Sequence, residues 1–195
     1  GNGRLRRRVQ AVLQAEGVEA DWPQALFVGF SPGERLHVWH GETSRDVGFL
    51  QIRPGGLVYH GDEFHWTLPR SYIDHIDLAP REGGLQRLLI RWHVPRESGR
   101  TFSLEAREAL TLARARLATQ LLYRRLREWL RSGGSEAAEG DLPVSAGLPP
   151  TDLSGAQVVD EPAPGSCLAI LAAMVITLLT IWRLAGTLLA AGLLY

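Results

Sequence analysis

The stretch "YHGDEFHW" sets His60, Asp62, Glu63 and His65 close together. Imidazole and carboxylate are the groups that bind a metal ion such as zinc, provided three or four of them converge on one point. His60 and His65 straddle a turn, so convergence is open to them, whereas His37, His40, His75 and His93 are spread over other segments. Polar residues at a hairpin tip and on the wet face of strands account for the same pattern without metal, and no metal or cofactor is expected. Ser71, Asp74 and His75 are the residue types of nucleophilic hydrolysis. Triads assemble across a fold, however, so adjacency is no support, and "PRSYIDHI" reads as a strand anchored by Ile73 and Ile76. G-x-S-x-G, HExxH, a Walker glycine loop and a CxxC pair are all absent. The chain reads as non-catalytic, with no small-molecule substrate.

Charge offers a different chemistry. The formal net charge of the 195 residues is zero, but twenty arginines between Arg4 and Arg131 face fifteen acids, which leaves that part at +5. Gly134–Ser166 holds six acids and no base. Every cation is arginine, and together with the Ala, Gly and Leu richness this fits a GC-rich bacterial genome, which weakens arginine density as a sign of anion binding. "RLRRR" offers Arg4, Arg6, Arg7 and Arg8 to anionic lipid. Toward the end of the basic part, Arg107, Arg114, Arg116, Arg124, Arg125, Arg127 and Arg131 face Glu105, Glu108 and Glu128, a net of +4. At about 100° per residue, Arg107, Arg114 and Arg125 cluster, whereas Arg116 and Arg127 project from another side. The candidate anionic-surface contacts are therefore Arg4, Arg6, Arg7, Arg8, Arg114 and Arg125. A nucleic-acid surface would favour one basic stripe, and no nucleic-acid partner is expected.

These residues need elements to hold them. Leu5, Val9, Val12 and Leu13 share one helical face that Gly17 can stop, which predicts a basic amino-terminal helix within residues 1–25. From Leu26 to Phe102 the hydrophobic period is two: Phe64, Trp66 and Leu68 alternate with His65 and Thr67, and Leu88, Ile90, Trp92 and Val94 with Leu89, Arg91 and His93. "RPGG", with Gly55 expected at positive φ, "HGD", "REGG" and "RESG" supply the turns. Seven or eight short strands with short connections predict an antiparallel sheet. One long helix follows, with Ser103 as its N-cap, Glu105 in its first turn and Arg131 and Gly133 at its close. Leu110, Leu117 and Leu121 share one face of it, continued with a drift by Leu122, Leu126 and Trp129.

Residues 134–166, rich in Gly, Pro, Ser and acids and without hydrophobic period, read as a disordered linker. From Cys167 to Tyr195 the chain is uncharged except for Arg183. About 20 apolar residues cross a bilayer, so residues 167–195 read as a transmembrane segment. Arg183, sixteen residues after Cys167, lies about 24 Å along such a helix. With Trp182 it marks the membrane boundary. A lone cysteine, Cys167, excludes an internal disulfide. With no signal peptide and an arginine-rich body, the expected location is a bacterial inner membrane with the soluble domain in the cytoplasm. The missing initiator methionine and the apolar end suggest a fragment or trimmed chain.

The run "GFLQIRPGGLVYHGDEFHWTLPRSYIDHIDL", then "RLLIRWHVP", "RTFSLEA" and a helix bearing Trp129, resembles the pleckstrin-homology-like superfold, in particular GRAM and bacterial PH-like domains. The resemblance covers about Phe30 to Arg131. It implies a mainly β fold with α, a bent antiparallel sandwich or barrel of about seven strands capped by one long C-terminal helix, here over residues 26–133. A transmembrane helix would be separate. It also implies a non-catalytic module that binds lipid headgroups or proteins near membranes. Lipid-binding members carry a basic pair around the first hairpin, where "FSPGERLHVWHGE" offers Arg35 between acids. The expected partners are thus the lipid bilayer and a membrane or cytoplasmic protein, with a structural or assembly subunit of a larger membrane complex as the alternative.

Overall fold

The two-residue period of the middle of the chain becomes a seven-stranded sheet, each neighbouring pair antiparallel. The computed structural model describes residues 2–35, 37–38, 43–79, 86–97, 99–107, 111–133, 142–143, 147–153 and 157–158, all within one compact unit, Gly1–Val159. Helix α1 (Asn2–Ala15) precedes strands β1 (Leu26–Pro32), β2 (His37–Val38), β3 (Asp46–Arg53), β4 (Gly56–Gly61), β5 (His65–Pro69), β6 (Ile73–Leu78), β7 (Leu88–Trp92) and β8 (Arg100–Ala106). Helix α2 (Leu112–Arg131) and strand β9 (Gln157–Val158) follow. The order across the sheet is β5-β4-β3-β1-β8-β7-β6, and β2 pairs separately with β9. Two meanders, β1-β3-β4-β5 and β6-β7-β8, therefore join where β1 meets β8.

Alternation gives this sheet two different faces. Val28, Phe30, Leu50, Leu57, Tyr59, Trp66, Leu68, Ile90, Trp92, Phe102 and Leu104 form one buried cluster with Leu122 and Leu126 of α2. At its centre the Phe30 ring lies 5.6 Å from Tyr59, 5.6 Å from Trp66 and 5.5 Å from Phe102. Each such side chain contributes about 1.5–3 kcal/mol by leaving water. The opposite face puts Phe27 and Phe49 against Val9, Leu13 and Ala25, with Trp22 edge-on to Phe49 at 5.1 Å. Leu5 and Val12, expected on the same helical stripe, are exposed. Gly17 ends α1 as expected: its φ is +78° and the Val18 amide reaches back to the Leu13 carbonyl at 2.9 Å.

Three expectations change. Ser103 and Glu105 belong to β8, not to a helix start, and the N-cap of α2 is Thr111, whose side chain accepts from the Arg114 amide. Leu117 and Leu121 do not share the buried face, which Leu122 and Leu126 occupy. Gly55 is not left-handed; among the described residues the positive-φ glycines are Gly17, Gly33 and Gly133. Pro54 also suits a type I turn, which needs no positive φ. In the segment expected to be coil, Leu142 is buried and the Thr67 amide donates to the Gly147 carbonyl at 2.8 Å. Trp182 and Arg183, with all of 167–195, lie outside the described residues; among these no helix is long and apolar enough to cross a membrane.

The two leucine rows of α2 should separate in a stability measurement. Leu126→Ala should lower the unfolding free energy by about 2–5 kcal/mol in chemical denaturation, whereas Leu121→Ala should change it by no more than about 0.5 kcal/mol.

Candidate functional site

Helix α2 presents the largest contrast between its two sides. Thr111 caps its start, and the Trp129 indole N–H donates to the Arg53 carbonyl at 2.9 Å, which pins its end over the β3–β4 turn. Arg70 lies over the same indole, 4.8 Å from its ring. With Leu122 and Leu126 inward, helical spacing turns Arg114, Leu117, Leu121 and Arg125 outward, within about 80° of one another. Leu117 and Leu121 remain 56 % and 55 % exposed, too much for core residues. Arg124 and Arg131 are exposed beside them, with Glu128 the one acid of this side. A groove of about 220 Å³ runs along the stripe between α2 and β1, lined by Leu26, Val28, Ala106, Ala118, Leu121 and Arg125.

Two of the arginines expected to disperse around this helix have partners of their own. Arg107 lies beyond the end of β8 and forms an ion pair with buried Glu105. Ser44 and Thr43 donate to the Glu105 carboxylate at 2.8 and 3.2 Å, and Arg107 donates to both hydroxyls at 2.8 and 3.1 Å. A Cβ at Gly29 would stand 2.1 Å from the Ser44 hydroxyl, so β1 needs glycine where this network crosses it. Arg127 donates to the Tyr123 hydroxyl at 2.8 Å along its own helix. On α1, Arg6 lies 5.8 Å over the Phe49 ring, while Arg4, Arg7 and Arg8 are exposed.

The "YHGDEFHW" group splits. Asp46 is buried at the start of β3, and its carboxylate accepts from the amides of Val47 at 2.8 Å and of Asp62, Glu63 and Phe64 at 3.1 Å. Burial pushes the Asp46 carboxyl above its ordinary range, against the pull of these amides. The Tyr59 hydroxyl lies beside it without reaching strict hydrogen-bond geometry. Asp62 and Glu63 thus serve the turn, Glu63 also pairing with Arg45 at 3.4 Å. His60 and His65 face each other across β4 and β5. Ser71, Asp74 and His75 do not assemble: Asp74 pairs with His93 at 2.7 Å and His75 with Asp77 at 3.0 Å. His40 and the His37 side chain lie outside the described residues. Among the described residues, no group of three or more metal-ligating side chains converges.

Arg114 and Arg125, expected to cluster, are both exposed, and Leu117 and Leu121, expected on the buried face, are exposed between them. The available signal was the Leu122–Leu126–Trp129 row, whose aromatic end marks the buried side. No protein-family model, curated protein or solved structure matches this chain, so its site is read from its own geometry.

Asp46→Ala should remove the acceptor of four amides, three of them in the β4–β5 turn. The expected loss is about 2–3 kcal/mol of stability. Amide hydrogen exchange should rise first over residues 60–65, as hydrogen-exchange mass spectrometry would show.

Proposed function

We propose that this chain is a membrane-tethered, non-catalytic binding module of the PH-like kind, whose α2 face engages an anionic membrane surface. The exposed Arg114–Leu117–Leu121–Arg125 stripe carries the proposal. Each arginine near an anionic leaflet contributes about 1 kcal/mol, and two leucines entering the headgroup boundary add apolar burial at about 25 cal/mol per Å². Separately these are weak. A tether raises the effective concentration of the bilayer, and the second contact then needs little intrinsic affinity. In the sequence, residues 167–195 supply that tether.

The PH-like part of the reading is supported by the strand order and by the closing helix. Four strands, then three, meet at β1 and β8, and α2 covers the aromatic-rich face. The surface used differs from the first hairpin that headgroup-binding members of the superfold use. Arg35 is exposed there, and the neighbouring Glu34 pairs with Arg91 at 3.4 Å. That hairpin lacks a basic pair, while α2 places a single arginine at each end of its two leucines.

A test uses the full chain in lipid nanodiscs, with an environment-sensitive dye on Leu117→Cys in a Cys167→Ser background. Emission should shift to the blue when phosphatidylglycerol replaces phosphatidylcholine, relax at high salt, and fail to shift in Arg114→Glu/Arg125→Glu. Identical spectra in neutral and anionic discs would contradict the assignment of the α2 face.

A further inference from the structure

We propose that the outer edge of β5 is a strand-addition surface for an extended, uncharged segment of a protein partner, which Leu142, Pro143, Gly147 and Pro149 of the chain itself cover in cis. β5 and β6 are the two edges of the seven-stranded sheet, and an open edge offers its backbone groups to any further strand. β6 carries its own protection. Its register breaks between Ile73 and His75, and Asp74 and Asp77 place carboxylates along it, both of which deter pairing. β5, "HWTLP", has neither carboxylate nor guanidinium. The Gly61 amide bonds the Phe64 carbonyl at 2.8 Å, so by alternation Trp66 and Leu68 bond β4, while His65, Thr67 and Pro69 turn their backbone groups outward.

What sits on this edge defines what fits it. The outward Thr67 amide donates to the Gly147 carbonyl at 2.8 Å, and Trp66 and Gly147 form an isolated parallel bridge. The Thr67 hydroxyl reaches the Pro143 carbonyl at 3.4 Å. Leu142 is buried, seated where Gly56 has no side chain: a Cβ there would stand 2.9 Å from a Leu142 methyl carbon. Pro149 is buried as well. The edge thus accepts a strand laid parallel to β5, with backbone bonds for affinity and an apolar seat beside Gly56 for selection.

Proline keeps the chain's own cover short. In parallel pairing, every second residue of the added strand exchanges bonds with the edge. After Gly147 the next such residue is Pro149, which has no N–H for the Thr67 carbonyl, and Pro69 has none to return. The ladder therefore stops at one bridge, as observed. A competing segment with an N–H at that position gains a bond that the chain's own segment cannot make. Attachment is the advantage of the cis segment, since a short link holds it at the edge at an effective concentration in about the millimolar range. Release of the cover then opens β5 to a segment that pairs better.

The experiment uses the full chain in detergent and a fluorescein-labelled synthetic peptide of residues 140–151 carrying Pro149→Val, read by anisotropy. Leu142→Asp in the chain unseats the cover. The peptide should bind that chain at one saturable site, at least about tenfold more tightly than it binds the unsubstituted chain. A peptide that keeps Pro149 should bind about threefold more weakly, and one that carries Leu142→Asp should not bind. Thr67→Pro, added to Leu142→Asp in the chain, removes the outward amide at an edge position open to proline. It should abolish binding with an unchanged near-UV circular dichroism spectrum. No saturable binding to the Leu142→Asp chain, or equal affinity for both chains, would overturn the proposal. A dimer of the unsubstituted chain in light scattering, dissolved by Leu142→Asp, would overturn it too, by giving the edge to the segment of a second copy.

Discussion

Side chains along a β-strand must alternate between two faces, and this constraint distributes every working residue of the chain. Seven strands send Phe30, Tyr59, Trp66, Trp92 and Phe102 to one side, where α2 closes over them. The same strands send Phe27, Phe49, His60 and His65 to the other, where α1 covers the two phenylalanines and leaves the histidines beside a polar cleft. A register slip of one residue would exchange the two sets, burying imidazoles in the aromatic core and exposing indoles. The two faces thus fix the positions of the two helices, and with them the outward side of α2.

Two buried polar groups resist such a slip. Asp46 gathers four amides, three of them from the turn that joins β4 to β5. Glu105 ties the residues before β3 to the end of β8 through Ser44, Thr43 and Arg107. Burying a carboxylate is costly, and removing one of its partners costs more than the intact cluster contributes. Their effect is therefore on register and loop placement more than on net stability. Gly29 belongs to the same constraint, since the Ser44 hydroxyl occupies the space where a Cβ would project.

What the sequence disclosed follows from the range of each signal. Period two is local: Trp66 and Leu68 join the aromatic core and His65 stays exposed as expected, whereas Thr67, expected on the wet face, is buried as well. The start of α2 was misplaced because Ser103 and Glu105 have the residue types of a helix cap. Phe102, Leu104 and Ala106 nevertheless alternate on the buried face of β8, and pairing with β1 and β7 decides the matter. In α2, Leu117 and Leu121 repeat at the same interval as Leu122 and Leu126, so spacing gives two equivalent rows. Only the position of the sheet distinguishes them. The roles of Asp46 and Glu105 depend on partners 16 or more residues away, which no local pattern shows. The docking of Leu142 and Gly147 is likewise a tertiary event in a segment whose composition reads as coil.

Taken together, the proposed module has an aromatic-filled sheet as its rigid part, a basic leucine face on one helix as its contact, and a long apolar run that keeps it at a bilayer. Tethering is the premise that gives two leucines and a few arginines enough effect to matter. Alkaline carbonate extraction of membranes carrying the full chain tests that premise most directly. The account predicts that the chain stays in the membrane pellet and is released only by detergent. Recovery in the aqueous supernatant as a monodisperse species without detergent would contradict it.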